Sequence, residues 1–351
     1  MSDMSQSGGG RPGEPPSAGR PPGGAGRLRI ILRSHGGENL KSRPRYYSKL
    51  LALASVVRAA EESGASPHLI FWNDGPMPAD RLQLMRASGE VMQIEGGSNR
   101  ASFRAAIDLA AHSDWAPDDL VWFAEDDYLY LPTAFRQLAA AWNRLHDADY
   151  LSVYGGAALD PASPRSRPRA LPRMGAVDAP GVIEVDGTRW FRGVSTTSTF
   201  GVRHSVLRED RRLLRLMPLT GGSWDHTTCL TVQGLQPFSW SELGGELLPF
   251  GSAPVAAWPR SIARGALRAG VNLRSLRTAD RRRRLYLSDP VEAVHLELPL
   301  LGGGEPGGPQ DDGPSEAWAE QRLETWAREV RAWALQRGIP IAADRPDDLP
   351  G

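Results

Sequence analysis

The sequence has very little cysteine and no long apolar run. Because Cys229 is its one cysteine, an intramolecular disulfide is excluded, which fits a reducing compartment. No stretch of about 18 residues is apolar enough to cross a membrane. Residues 1–26 are mostly Gly, Pro, Ser and Arg, and they lack the apolar core of a secretory leader. We therefore expect a cytoplasmic protein.

The chain has a formal net charge of zero, since its 41 Lys and Arg residues balance its 41 Asp and Glu residues. Without an excess of positive charge, the chain as a whole has no electrostatic attraction for a polyanion. We therefore predict no nucleic-acid partner. The 351 residues suffice for one large domain or two small ones, with a substantial core.

What the sequence does contain is an alternation of short apolar runs with segments of helical periodicity. The alternation predicts βαβ units and hence an α/β fold, a Rossmann-type, mostly parallel sheet flanked by helices. Ligands of such sheets bind at the carboxyl ends of the strands. The predicted strands are 28–32, 68–72, 91–94, 120–123 and 150–154, and the predicted helices are 47–63, 79–87, 99–111 and 132–145. After residue 181 we predict a hairpin over 182–191 with its turn at Asp186-Gly187, a strand that ends at 200–202, and helices 203–217, 224–232 and 316–336.

The strongest chemical feature is the cluster Glu125, Asp126 and Asp127, which follows the apolar strand 120–123. Three adjacent carboxylates repel one another, so the cluster is costly unless a cation or hydrogen-bond donors compensate. Mg²⁺ and Mn²⁺ prefer oxygen ligands, which indicates a metal site. A cap for the following helix, or a solvated turn, remains the alternative.

Further candidates lie in the loops that should face the same crevice. Asp74 stands in a turn after the second strand, and Asn99 follows Gly96 and Gly97 at a helix start, where free N–H groups suit a phosphate. An ordinary turn and a simple helix cap are the competing interpretations. We add Arg33, next to the first strand, to the candidates for donor binding.

These features together resemble the glycosyltransferases of the GT-A fold, nearest the family-2-like group, over roughly residues 27–235. The resemblance implies that Glu125 contacts the ribose of a nucleotide donor and that Asp127 holds the metal, with Asp126 sharing either role. It further implies that Asp74 reaches the nucleotide base.

The same resemblance extends to two residues further along the chain. Asp225 follows Gly221-Gly222-Ser223 at a helix start, where inverting members of the family place their general base. His295 matches a late histidine that many members supply to the metal. A helix cap for Asp225 and a core position for His295 remain the alternatives.

The resemblance thus predicts a metal-dependent enzyme of the hexosyltransferase type with Mn²⁺ or Mg²⁺ as cofactor. It would move a sugar from a nucleotide-diphospho-sugar donor to a sugar, glycolipid or small-molecule acceptor, with inversion. The rival hypotheses are a sugar nucleotidyltransferase and a non-catalytic sugar-nucleotide-binding protein. A peripheral membrane contact stays open, because a soluble enzyme can act on a lipid-linked acceptor. The basic run Arg281–Arg284 could close over a diphosphate or touch anionic lipid, and a solvated helix face is the alternative.

The predicted organisation has five parts. Trp190, Trp224 and Trp240 are candidates for stacking on a sugar, whereas the spacings between Trp318, Trp326 and Trp333 place these three rings on the core face of the last helix. The parts are a disordered tail (1–26), a nucleotide-sugar-binding half (27–155), an acceptor-binding half (156–300), a linker (301–315) and a C-terminal helix with a tail (316–351).

Overall fold

The computed structural model of the protein describes residues 26–38, 41–154, 182–248, 254–277, 282–297 and 316–342, and only the backbone of residues 316–320. The tail up to residue 25 and the predicted linker lie outside the described residues. The predicted division into five parts stays a prediction.

The described strands form one large and one small sheet. The nine-stranded sheet has the order β3-β2-β1-β4-β9-β6-β10-β8-β7, and β11 pairs with β5 in the small sheet. The strands are β1 Leu28–His35, β2 His68–Asp74, β3 Glu90–Ile94, β4 Leu120–Glu125, β5 Tyr128–Tyr130, β6 Tyr150–Ser152, β7 Ile183–Val185, β8 Thr188–Arg192, β9 Phe200–Arg203, β10 Leu285–Asp289 and β11 Ala293–His295.

Helices cover both faces of the large sheet. Alternate side chains of β1 point to opposite faces, so that Ile30 and Leu32 enter one core while Ile31 enters the other. The helices are α1 Lys49–Glu62, α2 Ala79–Ser88, α3 Asn99–His112, α4 Ala134–Arg144, α5 His204–Leu216, α6 Trp224–Val232, α7 Trp240–Leu247, α8 Trp258–Arg277 and α9 Glu316–Gln336. The predicted α/β class is confirmed.

The block β3-β2-β1-β4 is parallel throughout. Strands β1, β2 and β4 are mostly buried and each contains an apolar run, as strands covered on both faces do, whereas the edge strand β3 is only partly buried. Because parallel strands share a direction, the polar residues that follow β1, β2 and β4 meet at one edge of the sheet. Beyond β4 the sheet becomes mixed, since β9 runs antiparallel to both β4 and β6.

The C-terminal helix α9 has the predicted bounds and packs against α1. Trp326 and Trp333 are buried in the same core as Ile30, so their assignment to the core is confirmed, whereas the side chain of Trp318 lies outside the described part of the chain. Arg331 Nη2 donates to the carbonyl oxygen of Tyr46 at 2.9 Å. The helix thereby supports the segment that leads into α1.

The structure differs from the sequence prediction in several elements. The predicted strand 150–154 ends at Ser152, whose hydroxyl accepts from the N–H of Tyr154 and draws the chain out of the ladder. The strands β5, β10 and β11 and the helices α7 and α8 were not predicted. No helix among the described residues is both long and apolar enough to span a membrane.

Candidate active site

Strand pairing brings the candidate residues of three loops to one edge of the sheet. In the parallel register, Arg33 lies opposite Glu125 and His35 lies opposite Asp74. The acidic cluster therefore starts at the carboxyl end of a central strand, with the end of β1 beside it. This is the edge at which ligands of α/β sheets bind.

Glu125 is held by two donors from different parts of the chain. Arg33 Nη2 lies 2.5 Å from Oε1 of Glu125, and Ser198 Oγ donates to Oε2 at 2.8 Å. Arg33 also donates to Oδ1 of Asn99 at 2.8 Å and lies over the ring of Phe103. Burial raises the pKa of Glu125 above its usual range, although Arg33 acts in the opposite direction.

Asp126 points back toward the start of α1. Its Oδ2 accepts from Ser34 Oγ at 2.6 Å, from Lys49 Nζ at 2.9 Å and, more weakly, from the N–H of His35 at 3.3 Å. The Lys49 side chain is only 1 % exposed, so this ion pair is buried. Lys49 also donates to the carbonyl oxygen of His35 at 3.0 Å, which ties α1 to the end of β1.

Asp127 has two nitrogen partners on a single oxygen. Arg43 Nη2 lies 2.8 Å and His295 Nε2 lies 3.0 Å from Asp127 Oδ2. Burial alone would raise the pKa of Asp127, but the hydrogen bonds and positive charges of these two partners hold it well below its usual range. His295 arrives through the pairing of β11 with β5 and stacks on the ring of Tyr128 at 4.6 Å.

Each carboxylate of the cluster thus has its own basic partner: Arg33 for Glu125, Lys49 for Asp126 and Arg43 for Asp127. The repulsion among the three carboxylates requires a cation or hydrogen-bond donors, and the protein itself supplies both. Lys49, Arg43 and Ser198 were not among the sequence candidates. The signal that could have found the two cations was the need for countercharge beside three buried acids.

Asp127 and His295 fit a divalent ion as a pair of ligands. Their 3.0 Å separation matches the roughly 3 Å expected between adjacent ligands that bind an ion at about 2.1 Å. Asp127 Oδ1 is buried and has no hydrogen-bond partner in the described part of the chain. The described part of the chain holds no group of three or more His, Cys, Asp or Glu side chains that could bind a metal ion together. Substrate oxygens or water would complete the coordination, as is usual for Mg²⁺.

Asp74 and the glycine loop interact with each other. Asp74 Oδ1 accepts from the N–H of Gly96 at 2.7 Å and from that of Gly97 at 3.1 Å. The amides expected to be free for a phosphate are therefore already bonded, and Ser98 Oγ caps α3 by accepting from the N–H of Ala101. The roles of Asp74 and Asn99 toward a nucleotide stay predictions.

Asp225 lies on the other side of the site, in the first turn of α6. The turn before α6 depends on glycine, because Gly221 and Gly222 both have positive φ values, +71° and +61°. Asp225 is half-buried, and its Oδ1 accepts from the N–H of the adjacent His226 at 2.9 Å. Ser223, which directly precedes α6, makes no side-chain hydrogen bond to the helix.

A small cavity lies between this turn and Ser198. Its lining includes Phe103, Thr196, Ser198, Asp225 and Cys229, and Ser198 is the residue that donates to the Glu125 carboxylate. Burial raises the pKa of the Cys229 thiol to about 12, so the thiol is protonated and behaves as an apolar wall. The accessible surface of the lining is almost entirely apolar.

The remaining sequence candidates fall into two groups. Trp190 is fully buried in the core and cannot stack on a sugar, because its ring has no access to solvent. Trp224 packs against Phe103 at the cavity, and Trp240 is exposed. In the basic run, Arg283 binds Asp210 and Glu209 and Arg284 binds Asp147, whereas Arg281 lies outside the described residues.

No protein-family model and no curated protein matches the chain. Among solved structures, glucosyl-3-phosphoglycerate synthase from Mycobacterium tuberculosis, in complex with Mn²⁺, UDP and glucosyl-3-phosphoglycerate, is similar with a TM-score of 0.36 and 12 % identity, over 90 % of this chain and 82 % of that one. In another structure of that synthase, with Mn²⁺, UDP and phosphoglyceric acid, the match spans only 42 % of that chain and 36 % of this one, with a TM-score of 0.27.

Two further solved structures represent different enzyme classes. The galactosyltransferase LgtC, in complex with donor and acceptor sugar analogs, has a TM-score of 0.35 and 12 % identity, over 86 % of this chain and 95 % of that one. CMP:2-keto-3-deoxy-manno-octonic acid synthetase, complexed with CTP, has a TM-score of 0.35 and 13 % identity, over 86 % of this chain and 99 % of that one. At these TM-scores the likeness carries no argument for either class.

Proposed function

We propose that the protein is a glycosyltransferase of the hexosyltransferase type, which moves a sugar from a nucleotide-diphospho-sugar to an acceptor hydroxyl. The observation that carries the proposal is the cavity shared by Asp225 and Ser198, with Ser198 bonded to Glu125. Inverting glycosyl transfer requires a base beside the acceptor hydroxyl that attacks the anomeric carbon. It also requires donor-binding groups that hold the same carbon atom in place. A cavity that joins the two supports this reaction.

On the donor side, Glu125 binds the ribose and the end of β1 lies against the nucleotide. Arg33 orients the Glu125 carboxylate, since it holds Oε1 at 2.5 Å and is itself fixed by Asn99. Asp127 and His295 would hold a Mn²⁺ or Mg²⁺ ion. Such an ion supplies positive charge to the leaving diphosphate. Arg43 and Lys49 lie next to the same carboxylates and add positive charge of their own.

On the acceptor side, Asp225 acts as the general base. Its carboxylate takes the proton of the acceptor hydroxyl while the acceptor oxygen bonds to the anomeric carbon. The bond between that carbon and the diphosphate oxygen breaks at the same time, and the nucleoside diphosphate leaves. Because attack and departure occur on opposite faces of the sugar, the configuration inverts.

One observation favours the sugar nucleotidyltransferase as a second candidate. Enzymes of that class need basic residues near the loop after the first strand, and Arg43 and Lys49 reach the acidic cluster from that part of the chain. The two reactions differ in their products. A glycosyltransferase releases a nucleoside diphosphate from a nucleotide sugar, whereas a nucleotidyltransferase releases pyrophosphate from a nucleoside triphosphate and a sugar phosphate.

The test is a product analysis with the purified full chain and either Mn²⁺, Mg²⁺ or a chelator. We expect nucleoside diphosphate release from at least one nucleotide sugar of a panel, and loss of that release with the chelator. Pyrophosphate release from triphosphates and sugar phosphates would establish the second candidate instead. Binding of a nucleotide sugar without either product would leave a non-catalytic binding protein.

Asp127→Asn tests the assignment of the metal. The amide oxygen can still accept from Arg43, so the fold should persist, but the negative charge that attracts an ion is gone. We expect metal-dependent donor binding to weaken on the order of 100-fold in titration calorimetry. Asp114→Asn makes the same chemical change at an exposed position and should bind like the parent. Parental binding by Asp127→Asn would show that the ion lies elsewhere.

A further inference from the structure

Helix α8 (Trp258–Arg277) exposes a stripe of apolar side chains. Ile262 is 42 % exposed, Leu273 is 50 % exposed and Leu276 is 46 % exposed. Spacings of eleven and three residues place all three on one face of the helix, with the exposed Ala266 between them. Val271, Asn272 and Ser275 are buried on the side of the helix that packs against the protein.

The same helix is basic, since it contains five arginines and no Asp or Glu. Arg264 and Arg268 bind Glu246 of α7. Arg274 and Arg277 are exposed along one side of the apolar stripe, and Arg260 is exposed near the start of the helix. An apolar face flanked by arginines is the pattern of a helix that lies in the interface of a membrane.

Neighbouring segments add exposed apolar side chains. Trp240 at the start of α7 is 52 % exposed, and Leu248 and Val255, which lie between α7 and α8, are more exposed still. Helix α7 is anchored to α8, because Ser261 Oγ donates to the carbonyl oxygen of Glu246 at 3.1 Å. Large exposed apolar side chains concentrated in one region commonly mark an interaction surface.

We propose that the exposed face of α8 binds the surface of a membrane that contains anionic lipids. The apolar stripe enters the boundary between head groups and acyl chains, and Arg274 and Arg277 contact anionic head groups. Charge decides against a second copy of the chain as the occupant. A two-fold dimer would place the same arginine-rich face against itself, and like charges would repel across the interface.

The position of α8 connects this surface with the candidate acceptor side. Arg268 Nε donates to the carbonyl oxygen of Thr220 at 2.9 Å, and Thr220 directly precedes the Gly221-Gly222 turn that leads to Asp225. A membrane on α8 would therefore lie near the turn that carries the proposed base. If the proposed glycosyltransferase function holds, on which this step rests, the acceptor is a lipid-linked hydroxyl compound.

The experiment measures sedimentation of the full chain with phosphatidylcholine vesicles, with and without phosphatidylglycerol, in the absence of any donor. We expect binding only to the vesicles with phosphatidylglycerol, and weaker binding at high salt. Each arginine near an anionic surface changes affinity about five-fold. Arg274→Gln with Arg277→Gln should therefore weaken binding roughly 25-fold. Arg86→Gln with Arg208→Gln removes two exposed arginines elsewhere and should not.

Leu273→Ser tests the apolar stripe in the same assay and should also weaken binding. Absence of binding, equal binding without the anionic lipid, or equal loss in the control pair would each overturn the proposal. So would a dimer in sedimentation velocity that Leu273→Ser dissociates. Vesicle binding without sugar transfer would defeat only the proposed function, and transfer without vesicle binding would defeat only this inference. If the protein both transfers a sugar and binds vesicles, the α8 variants should slow transfer to a vesicle-anchored acceptor and leave transfer to a soluble acceptor unchanged.

Discussion

The two sides of the candidate site are built in opposite ways. On the donor side, three carboxylates are buried or nearly buried, and each has a basic partner from a distant part of the chain. On the acceptor side, Asp225 is half-buried and bonds only to the N–H of its neighbour among the contacts that the structure records. Its surroundings in the cavity are apolar side chains and hydroxyl groups.

The difference separates two ways in which a carboxylate can serve. The donor-side carboxylates are fixed in place before any ligand arrives, which suits groups that bind and orient. The Asp225 carboxylate is not neutralised by an ion pair in the described residues, which suits a group that must accept a proton. Substitutions on the donor side should therefore affect stability and binding, and substitutions on the acceptor side should affect turnover.

The largest effect is expected from Lys49→Met. The substitution leaves the Asp126 carboxylate without the buried ammonium group that lies 2.9 Å away, and loss of one partner of a buried pair costs about 3–5 kcal/mol. Urea denaturation measures the free energy of unfolding. Lys41→Met is the matched control, since Lys41 pairs with Glu297 at the surface and is 44 % exposed, and such pairs contribute about 0–1 kcal/mol. Equal losses of unfolding free energy in the two variants would contradict the conclusion that the donor-side carboxylates are fixed in place before a ligand binds.

A smaller effect, confined to turnover, is expected from Asp225→Asn. Without a base, kcat should fall about 100-fold or more, equivalent to about 2.7 kcal/mol, while donor affinity and melting temperature barely change. Asp80→Asn is the matched control, because Asp80 also lies in the first turn of a helix and accepts from the next N–H, at 2.8 Å. If Asp225→Asn turned over substrate at the parental rate, Asp225 would not be the base and would serve only as a helix cap. Loss of donor binding would move it to the donor side.

The smallest effect is expected from Ser198→Ala, which removes the link between the two sides. The Ser198 hydroxyl lowers the pKa of Glu125, against the upward effect of burial. Its loss should raise that pKa further and shift the acid limit of donor binding to higher pH. At neutral pH we expect about five-fold weaker donor binding, or about 1 kcal/mol. Ser198→Thr keeps the hydroxyl and should restore the parental pH profile, unless Ser198 serves only to shape the cavity.

The parallel half of the sheet could be predicted from the sequence because its signals are local. Ile30, Ile31 and Leu32 form a β-branched and apolar run that is buried on both faces, and the helices that follow β1 to β4 have apolar residues at helical spacing. The turn Asp186-Gly187 predicted a hairpin, and both residues do adopt positive φ between β7 and β8. Short-range patterns of this kind do not depend on the rest of the chain.

The missed elements and partners depend on contacts that no local pattern encodes. Lys49 and Asp126 are 77 positions apart in the chain, and nothing in the helical period of α1 distinguishes a buried lysine from an exposed one. The strand β10 consists of five residues held between β6 and β8. Gly265 and Gly270 weaken the helical signal of α8. Asp127 and His295 meet as the resemblance implied, at 3.0 Å, but their roles stay predictions.

The antiparallel strand β9 has a consequence for synthesis on the ribosome. It lies between β4 and β6, although it follows both in the chain. β4 ends at Glu125 and β9 begins at Phe200, so one edge of the completed parallel block waits roughly 4–15 s for its neighbour at elongation rates of about 5–20 residues per second. An unpaired strand edge is a template for wrong pairing. The nascent chain is therefore most vulnerable to aggregation, and most dependent on chaperones, in the interval before Phe200 to Arg203 emerge from the exit tunnel.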